Sequence, residues 1–235
     1  MNTKSGRKTY AVFLAGGSGS RMGAPVPKQF LEINGKTILQ LSIERFLEAI
    51  PDLGVVCVLP PQWREKWKKE CMLKALDCPQ ILVDGGITRF HSVKNALERI
   101  PDNSIVMVHD SVRPLISVQK LREMDKTMRA GCRALIPVLP VTDTLHMLDG
   151  SAEDGTLRLS DSPAPERRGL YGAQTPQCFR SEDLKAAYSA AYSTAFTDDA
   201  SVASAAGIPL SFTLGEKTNL KITTPEDLAL AKLLV

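Results

Sequence analysis

The chain has 235 residues, 43% of them hydrophobic, enough for one large α/β domain or two small ones around a buried core. Lys and Arg number 29 against 26 Asp and Glu, and a net charge of +3 is too small to point to a nucleic-acid or membrane surface. The 5 cysteines are scattered, without the close pairs of a zinc site or redox dithiol, so reduced thiols in a cytosolic protein are expected.

The N-terminus MNTKSGRK is basic, but the apolar run after it breaks at Gly16 and Gly17, too early for a signal-peptide core. Nor does any apolar segment approach the ~20 residues of a membrane span. Tyr10 to Leu14 reads as a buried strand leading into LAGGSGSRMGAPVPKQFL. Leu39, Ile43, Phe46, Leu47 and Ile50 then share a helical face, and Thr37 with Gln40 predicts a capping box in front of it.

Val55 to Leu59 is the second predicted strand, and a helix follows from Trp63 to Ala75. Its run WREKWKKE mixes charges at helical spacing and reads as a solvated face. Ile81 to Val83 is the third strand, after which Thr88 caps a helix with Phe90, Val93, Leu97 and Ile100 on one side. Ile105 to Val108 is the fourth, Ser117 caps a helix ending at Gly131, and Ala134 to Val138 is the fifth. Repeated βα units imply an α/β fold with a mainly parallel sheet and helices on both faces.

From Val141 to Gly169 the rhythm changes: TDTLHML and TLRLS flank DGSAEDG, and the proline- and charge-rich DSPAPERRG follows. This predicts a β-hairpin projecting from the sheet as an arm, suited to dimer contacts. Next come a strand near Leu170 to Gln174, a helix from Ser181, and a short helix from Asp198 to Ala206 with Thr197 as cap and Gly207 as stop. A last helix starts at Pro225, with Thr224 as N-cap and Asp227 as its third residue. The whole chain reads as one domain carrying the arm.

In open parallel sheets the ligand crevice lies beyond the carboxyl ends of the strands. AGGSGSR, DGGITR, HDSVRP and PVTDT follow the first, third, fourth and fifth strands, so two glycine loops, Asp110, Asp143 and Thr144 are expected to converge on one rim. The first loop has Met22 where a dinucleotide fingerprint needs its third glycine, and it lacks the Gly-Lys-Ser/Thr of a P-loop. What it offers is backbone N–H from Gly16, Gly17 and Gly19, followed by Arg21 and Lys28. These suit a polyphosphate whose negative charge grows during reaction, although on spacing alone the two cations fit a solvated surface equally well. His109, beside Asp110, reads as a hydrogen-bonded structural histidine, and His91 and His146 have no partners at metal-ligand spacing.

LAGGSGSRMG with PKQF, then VDGGITRFHSV, VHDSVRP, PVTDT, AQTPQCF, TDDAS and NLKITTPEDL resemble, in order and over nearly the whole chain, the motifs of the 2-C-methyl-D-erythritol 4-phosphate cytidylyltransferases. The resemblance implies a Rossmann-like nucleotidyltransferase fold, a homodimer joined through the β-arm, Mg²⁺, and CTP and a polyol phosphate as substrates. By motif, Ala15, Gly16, Gly17, Ser18 and Gly19 correspond to residues lining the CTP phosphates and base, while Arg21 and Lys28 correspond to those stabilising the triphosphate in the transition state. Gly86 and Ser92 resemble contacts to the cytosine or its ribose, where a tight backbone approach explains the glycine. Asp110 resembles the carboxylate near ribose, metal and acceptor, with Ser111 and Arg113 beside it. Thr144 and Arg167 resemble arm residues that hold the acceptor phosphate across the dimer, and Lys221 one that positions the acceptor for attack.

Two other readings stand beside this one. Ribitol 5-phosphate cytidylyltransferases share related segments, but PVTDT together with ERRGLYGAQTPQ looks more like the isoprenoid enzyme. A non-catalytic nucleotide-binding module is the third reading; having both Arg21 and Lys28 argues against it, because binding alone needs only the backbone and one cation.

Overall fold

Residues Ala11 and Phe13 pack with Leu39, Phe46 and Met124, while Val12 between them packs with Phe90, Val93 and Leu97, and all three are fully buried. A strand apolar on both faces must lie inside a sheet covered on both sides. The computed structural model, which describes residues 6–17 and 26–235, shows this arrangement. The elements in chain order are β1 (Thr9–Leu14), β2 (Glu32–Ile33), β3 (Lys36–Thr37), α1 (Ile38–Ala49), β4 (Gly54–Leu59), α2 (Arg64–Leu73), β5 (Gln80–Asp84), α3 (Arg89–Leu97), β6 (Ile105–Asp110), α4 (Val118–Arg129) and β7 (Ala134–Pro140). The arm strands β8 (Leu148–Asp149) and β9 (Arg158–Leu159) follow. The chain is completed by β10 (Tyr171–Ala173), β11 (Gln177–Arg180), α5 (Ser181–Ala187), α6 (Asp199–Ala205), β12 (Ser211–Leu214) and α7 (Pro225–Leu234).

In the main sheet β11 lies between β7 and β6, followed by β1, β4 and β5, while β10 pairs with β7 alone and β12 lies on the other side of β7. Strands β6, β1, β4 and β5 are parallel and in step, with Leu14 opposite both Val58 and Asp110, and Leu59 opposite Asp84. Their carboxyl ends therefore form one rim. Packed on one face are α1 and α4, and on the other α3, α5 and α6. A smaller cluster of Ile33, Ile38, Val112, Leu115, Ile222 and Ala231 fastens the C-terminal segment below that rim.

Several local expectations need correction. Thr37 accepts from Gln40 N at 3.2 Å, but the Gln40 side chain bonds Glu44 and the Lys74 carbonyl, so the reciprocal half of the capping box is absent. The helix expected from Trp63 begins as a 3-10 turn, Pro61–Trp63, and its run WREKWKKE is not wholly solvated. Trp67 is buried and donates Nε1–H to Gln80 Oε1 at 2.9 Å, because the charged residues beside it leave one apolar stripe to face the sheet. The cap of α6 is Asp198, not Thr197: its carboxylate accepts from Ser201 N, and Ser201 Oγ accepts from Asp198 N. The strand expected to end near Gln174 is β10, and a second antiparallel strand, β11, resumes after the cis Thr175–Pro176 bond.

The arm is a hairpin, with Leu148 opposite Leu159 and Asp149 opposite Arg158, in a two-stranded sheet of its own. It exposes Met147, Leu148, Leu157 and Leu159. All five cysteines are free thiols, and among the described residues no helix is long and apolar enough to cross a membrane.

Candidate active site

Beyond the carboxyl ends of β1, β4, β5 and β6 lies a cavity of about 400 Å³ whose walls include Gly16, Gly17, Lys28, Gly86, Ser92, Asp110, Ser111 and Lys221. The convergence expected from four separate turns thus holds for three of them. The exception is PVTDT: Asp143 and Thr144 are exposed and do not line the cavity. The antiparallel β11 stands between β6 and β7, so the end of β7 lies two strand spacings, roughly 10 Å, from that of β6. Arg167 also stays on the arm, donating Nη1–H to the Thr142 carbonyl at 2.6 Å.

The floor is built from the loop after β1. Ala15 gives its N–H to Val58 O at 2.9 Å, and its carbonyl accepts from Gln29 Nε2 at 2.6 Å. Both polar groups of Ala15 are thus used inside the protein, and it anchors the loop without reaching the cavity. Gly16 and Gly17 face open space: among the described residues a Cβ at either position meets nothing within 4 Å, and neither takes a left-handed φ. Nothing among the described residues requires glycine here, whereas a ligand lying directly on the backbone does. Lys28 enters the cavity from the 3-10 turn Lys28–Phe30, whose Gln29 and Phe30 are buried. Ser18, Gly19 and Arg21 lie outside the described residues.

The wall after β5 is different. A Cβ on Gly86 falls 2.3 Å from His91 Cβ and 2.8 Å from its backbone carbon, so this glycine is required by the start of α3 rather than by a ligand. Gly86 N–H donates to Ser92 Oγ at 3.0 Å, and Ser92 Oγ donates to Thr88 O at 3.0 Å. The amide and hydroxyl expected to read a base are therefore spent on one another, leaving Ser92 one lone pair for a donor on the ligand.

On the far wall, Asp110 Oδ2 lies 3.0 Å from Lys221 Nζ and 3.6 Å from Arg113 Nε. Burial opposes ionisation of Asp110, but Lys221, Arg89 and Arg113 outweigh it and bring its pKa down to about 2. Lys221 is aimed by its neighbours: Leu220 and Ile222 pack into the cluster below, and Ile222 N–H donates to Val112 O at 2.9 Å. Arg113 is not a cavity residue; it braces the wall by donating Nη1–H to Asn219 O at 2.8 Å. Ser111 gives both N–H and hydroxyl to Leu14 O, stitching β6 to β1 below the cavity.

His109 is structural, as the sequence indicated. Its Nε2 lies 3.1 Å from Arg113 O, an acceptor, so that nitrogen carries the proton; Nδ1 then accepts from Thr175 Oγ1 at 3.1 Å. Thr175 Oγ1 in turn accepts Asp110 N–H at 3.0 Å. Burial pushes the histidine down to about 4, so the ring is neutral at physiological pH.

Sequence reasoning missed three buried or cavity residues. Gln29, inside PKQF, holds Ala15; Asn219, inside NLKIT, donates to Thr175 O at 2.9 Å; and Arg89, inside DGGITRF, lines the cavity while forking onto Asp199 at 2.9 and 2.5 Å. For Arg89, which follows the predicted DGG turn, a polar residue next to a glycine loop was the available signal. What each one bonds is a tertiary fact.

A parallel rim carrying a bare backbone turn, clustered cations and one ionised carboxylate defines a nucleotide-dependent α/β transferase. Solved structures share the fold closely: a 4-diphosphocytidyl-2C-methyl-D-erythritol synthase has a TM-score of 0.78 at 25% identity, covering 97% of this chain and 98% of that one. The Francisella tularensis 2-C-methyl-D-erythritol 4-phosphate cytidylyltransferase has a TM-score of 0.77 at 28% identity, covering 97% and 100%. Residues 9–235 match the 2-C-methyl-D-erythritol 4-phosphate cytidylyltransferase (IspD) family, and the chain belongs to it. Relatives of that name from Bacteroides thetaiotaomicron and Porphyromonas gingivalis are 38% and 40% identical, each over 97% of this chain and over 100% and 98% of their own. The protein is a cytidylyltransferase.

Proposed function

We propose that the protein transfers CMP from CTP to 2-C-methyl-D-erythritol 4-phosphate, releasing pyrophosphate and forming 4-diphosphocytidyl-2-C-methyl-D-erythritol. The observation that carries this reading is the opposition, across one cavity, of the open Gly16–Gly17 backbone with Lys28 on one side and the Asp110–Lys221 pair on the other. A triphosphate lies on the first and an acceptor phosphate meets the second. Family membership favours the methylerythritol acceptor over ribitol 5-phosphate.

In the reaction an acceptor phosphate oxygen attacks the α-phosphorus of CTP in line with the departing pyrophosphate. The nucleophile is anionic at neutral pH, so no general base is required; His109, neutral and fully hydrogen-bonded, supplies none. Lys28 and Arg21 meet the charge that builds on the triphosphate, Lys221 holds the acceptor phosphate, and Asp110 stays ionised to accept hydrogen bonds from polyol or ribose hydroxyls.

Magnesium fits this site in one way. Among the described residues no group of three or more His, Cys, Asp or Glu side chains is arranged to hold a metal, and Asp110 is the one carboxylate on the cavity wall. Mg²⁺ would accordingly be held mainly by the substrate's phosphates, with Asp110 as its protein ligand, and would supply charge neutralisation on the leaving group.

Thr144 and Arg167 remain outside the cavity of their own chain, and the arm bearing them exposes four apolar side chains. This supports a homodimer in which each arm covers its partner's site and brings Thr144 and Arg167 to the acceptor phosphate. The free thiols are in keeping with action in the cytoplasm. Pyrophosphate release from CTP and Mg²⁺ with each polyol phosphate in turn tests the reading. Release with the methylerythritol substrate is expected; release only with ribitol 5-phosphate replaces the acceptor, and release with neither removes the enzyme reading.

A further inference from the structure

Behind the cavity wall lies a charged cluster that the reaction scheme leaves unused. Asp199, the first residue of α6, is completely buried, and both its oxygens face Arg89, the first residue of α3, with Nη1 at 2.9 Å and Nη2 at 2.5 Å. Tyr188 Oη donates to the same carboxylate at 2.6 Å, and the Tyr188 ring stacks on Phe90 with centroids 4.6 Å apart. Burial and the neighbouring Asp199 raise the Tyr188 phenol well above its usual range, so it remains a donor.

Taking a carboxylate wholly out of water costs more than an ion pair generally returns in stability, so an apolar pair of the same volume serves a core as well or better. Arg89 nevertheless reaches the cavity, with its side chain one-third exposed, and it helps to hold Asp110 ionised. A guanidinium has five N–H donors, and Asp199 engages two. The rest stand free of that clamp on a residue that lines the nucleotide wall.

We infer that Asp199 is a positioning residue for the nucleotide: its carboxylate, anchored by Tyr188, locks the Arg89 fork so that the remaining N–H groups donate to acceptor oxygens of bound CTP. The inference rests on the reading of the cavity as a CTP site. An arginine side chain has several rotatable bonds, and fixing it before the ligand arrives removes an ordering cost from binding. The buried pair therefore acts on nucleotide affinity through geometry, and its effect falls on KM for CTP rather than on KM for the acceptor.

The test compares Asp199→Asn, Arg89→Met, the double variant Arg89→Met/Asp199→Asn, and Arg89→Lys, with Tm and steady-state constants measured for each. Asp199→Asn is expected to lower Tm, since it leaves the partly buried Arg89 guanidinium without its counter-charge, and to raise KM for CTP by about tenfold while KM for the acceptor stays within about twofold. The double variant, which buries no charge, is expected to recover Tm but to keep the raised KM for CTP. Recovery of both together makes the cluster merely structural and overturns the inference. Should the double variant fail to fold, Arg89→Lys decides: lysine keeps the charge but not the fork, so a raised KM for CTP at parental Tm upholds the inference and a parental KM overturns it. Absence of pyrophosphate release by the parent enzyme is a separate result that counts against the CTP reading itself.

Discussion

Lys221 Nζ and Asp110 Oδ2 are 3.0 Å apart, although Asp110 ends the central strand β6 and Lys221 lies near the C-terminus, and the packing of Leu220 and Ile222 brings the lysine over the rim. The pair is unequal in exposure: the lysine is nearly half exposed and the aspartate is largely buried.

That inequality sets the first prediction. Lys221→Met removes the nearest cation from Asp110, whose carboxyl then holds its proton at higher pH. The acid limb of kcat/KM is expected to move upward in pH, and kcat/KM for the acceptor to fall by about a hundredfold, with little change in Tm because the lysine head is solvated. A pH profile of the variant beside the parent measures both.

The two glycine loops predict opposite outcomes for one substitution. Gly17→Ala meets open space at an ordinary φ, so Tm is expected to hold while KM for CTP rises by about tenfold as the methyl occupies the cradle. Gly86→Ala drives a Cβ to 2.3 Å from His91 Cβ, so Tm is expected to fall whether or not CTP is present. Thermal melts of the two variants, with and without CTP, separate a ligand-imposed glycine from a packing-imposed one.

His109 makes stability depend on pH above the range where carboxylates titrate. Its folded value, about 4, lies below that of a free histidine, so the unfolded chain binds the extra proton first. This contribution is complete above about pH 6.5 and is lost as pH falls toward 4, amounting to about 2 kcal/mol lost between pH 6.5 and 5. Urea unfolding at intervals across that range is expected to show the slope in the parent and to lose it in His109→Gln, although the latter is less stable throughout.

Sharing of the site between subunits is tested by mixing two inactive proteins. Arg167→Ala and Arg21→Ala subunits, combined as verified heterodimers, are expected to regain activity because one of the two sites then carries an intact arm and an intact loop. Heterodimers as inactive as either parent variant confine Arg167 to its own chain.

The sequence by itself determined the alternation of strands and helices, since β1, β4 and β6 are continuous apolar runs and Thr88, Ser117 and Thr224 cap the helices that follow. It also determined the chemistry of the rim, because strand ends in a parallel sheet carry their turns to one edge, and AGG, DGG and HDS are written at the ends of β1, β5 and β6. Only the tertiary structure decided which polar groups remain for a ligand. Gly86 and Ser92 satisfy one another, Ala15 is taken by Val58 and Gln29, and Arg89 is held by an aspartate 110 positions away in the chain. β11 was hidden in AQTPQCF because a four-residue strand after a proline has no periodicity to show, yet by entering between β6 and β7 it moves Thr144 off the rim. The physical reason is the same throughout: a buried hydrogen-bonding group must find a partner, and hydrophobic spacing along a chain says where a group lies but not which partner it finds.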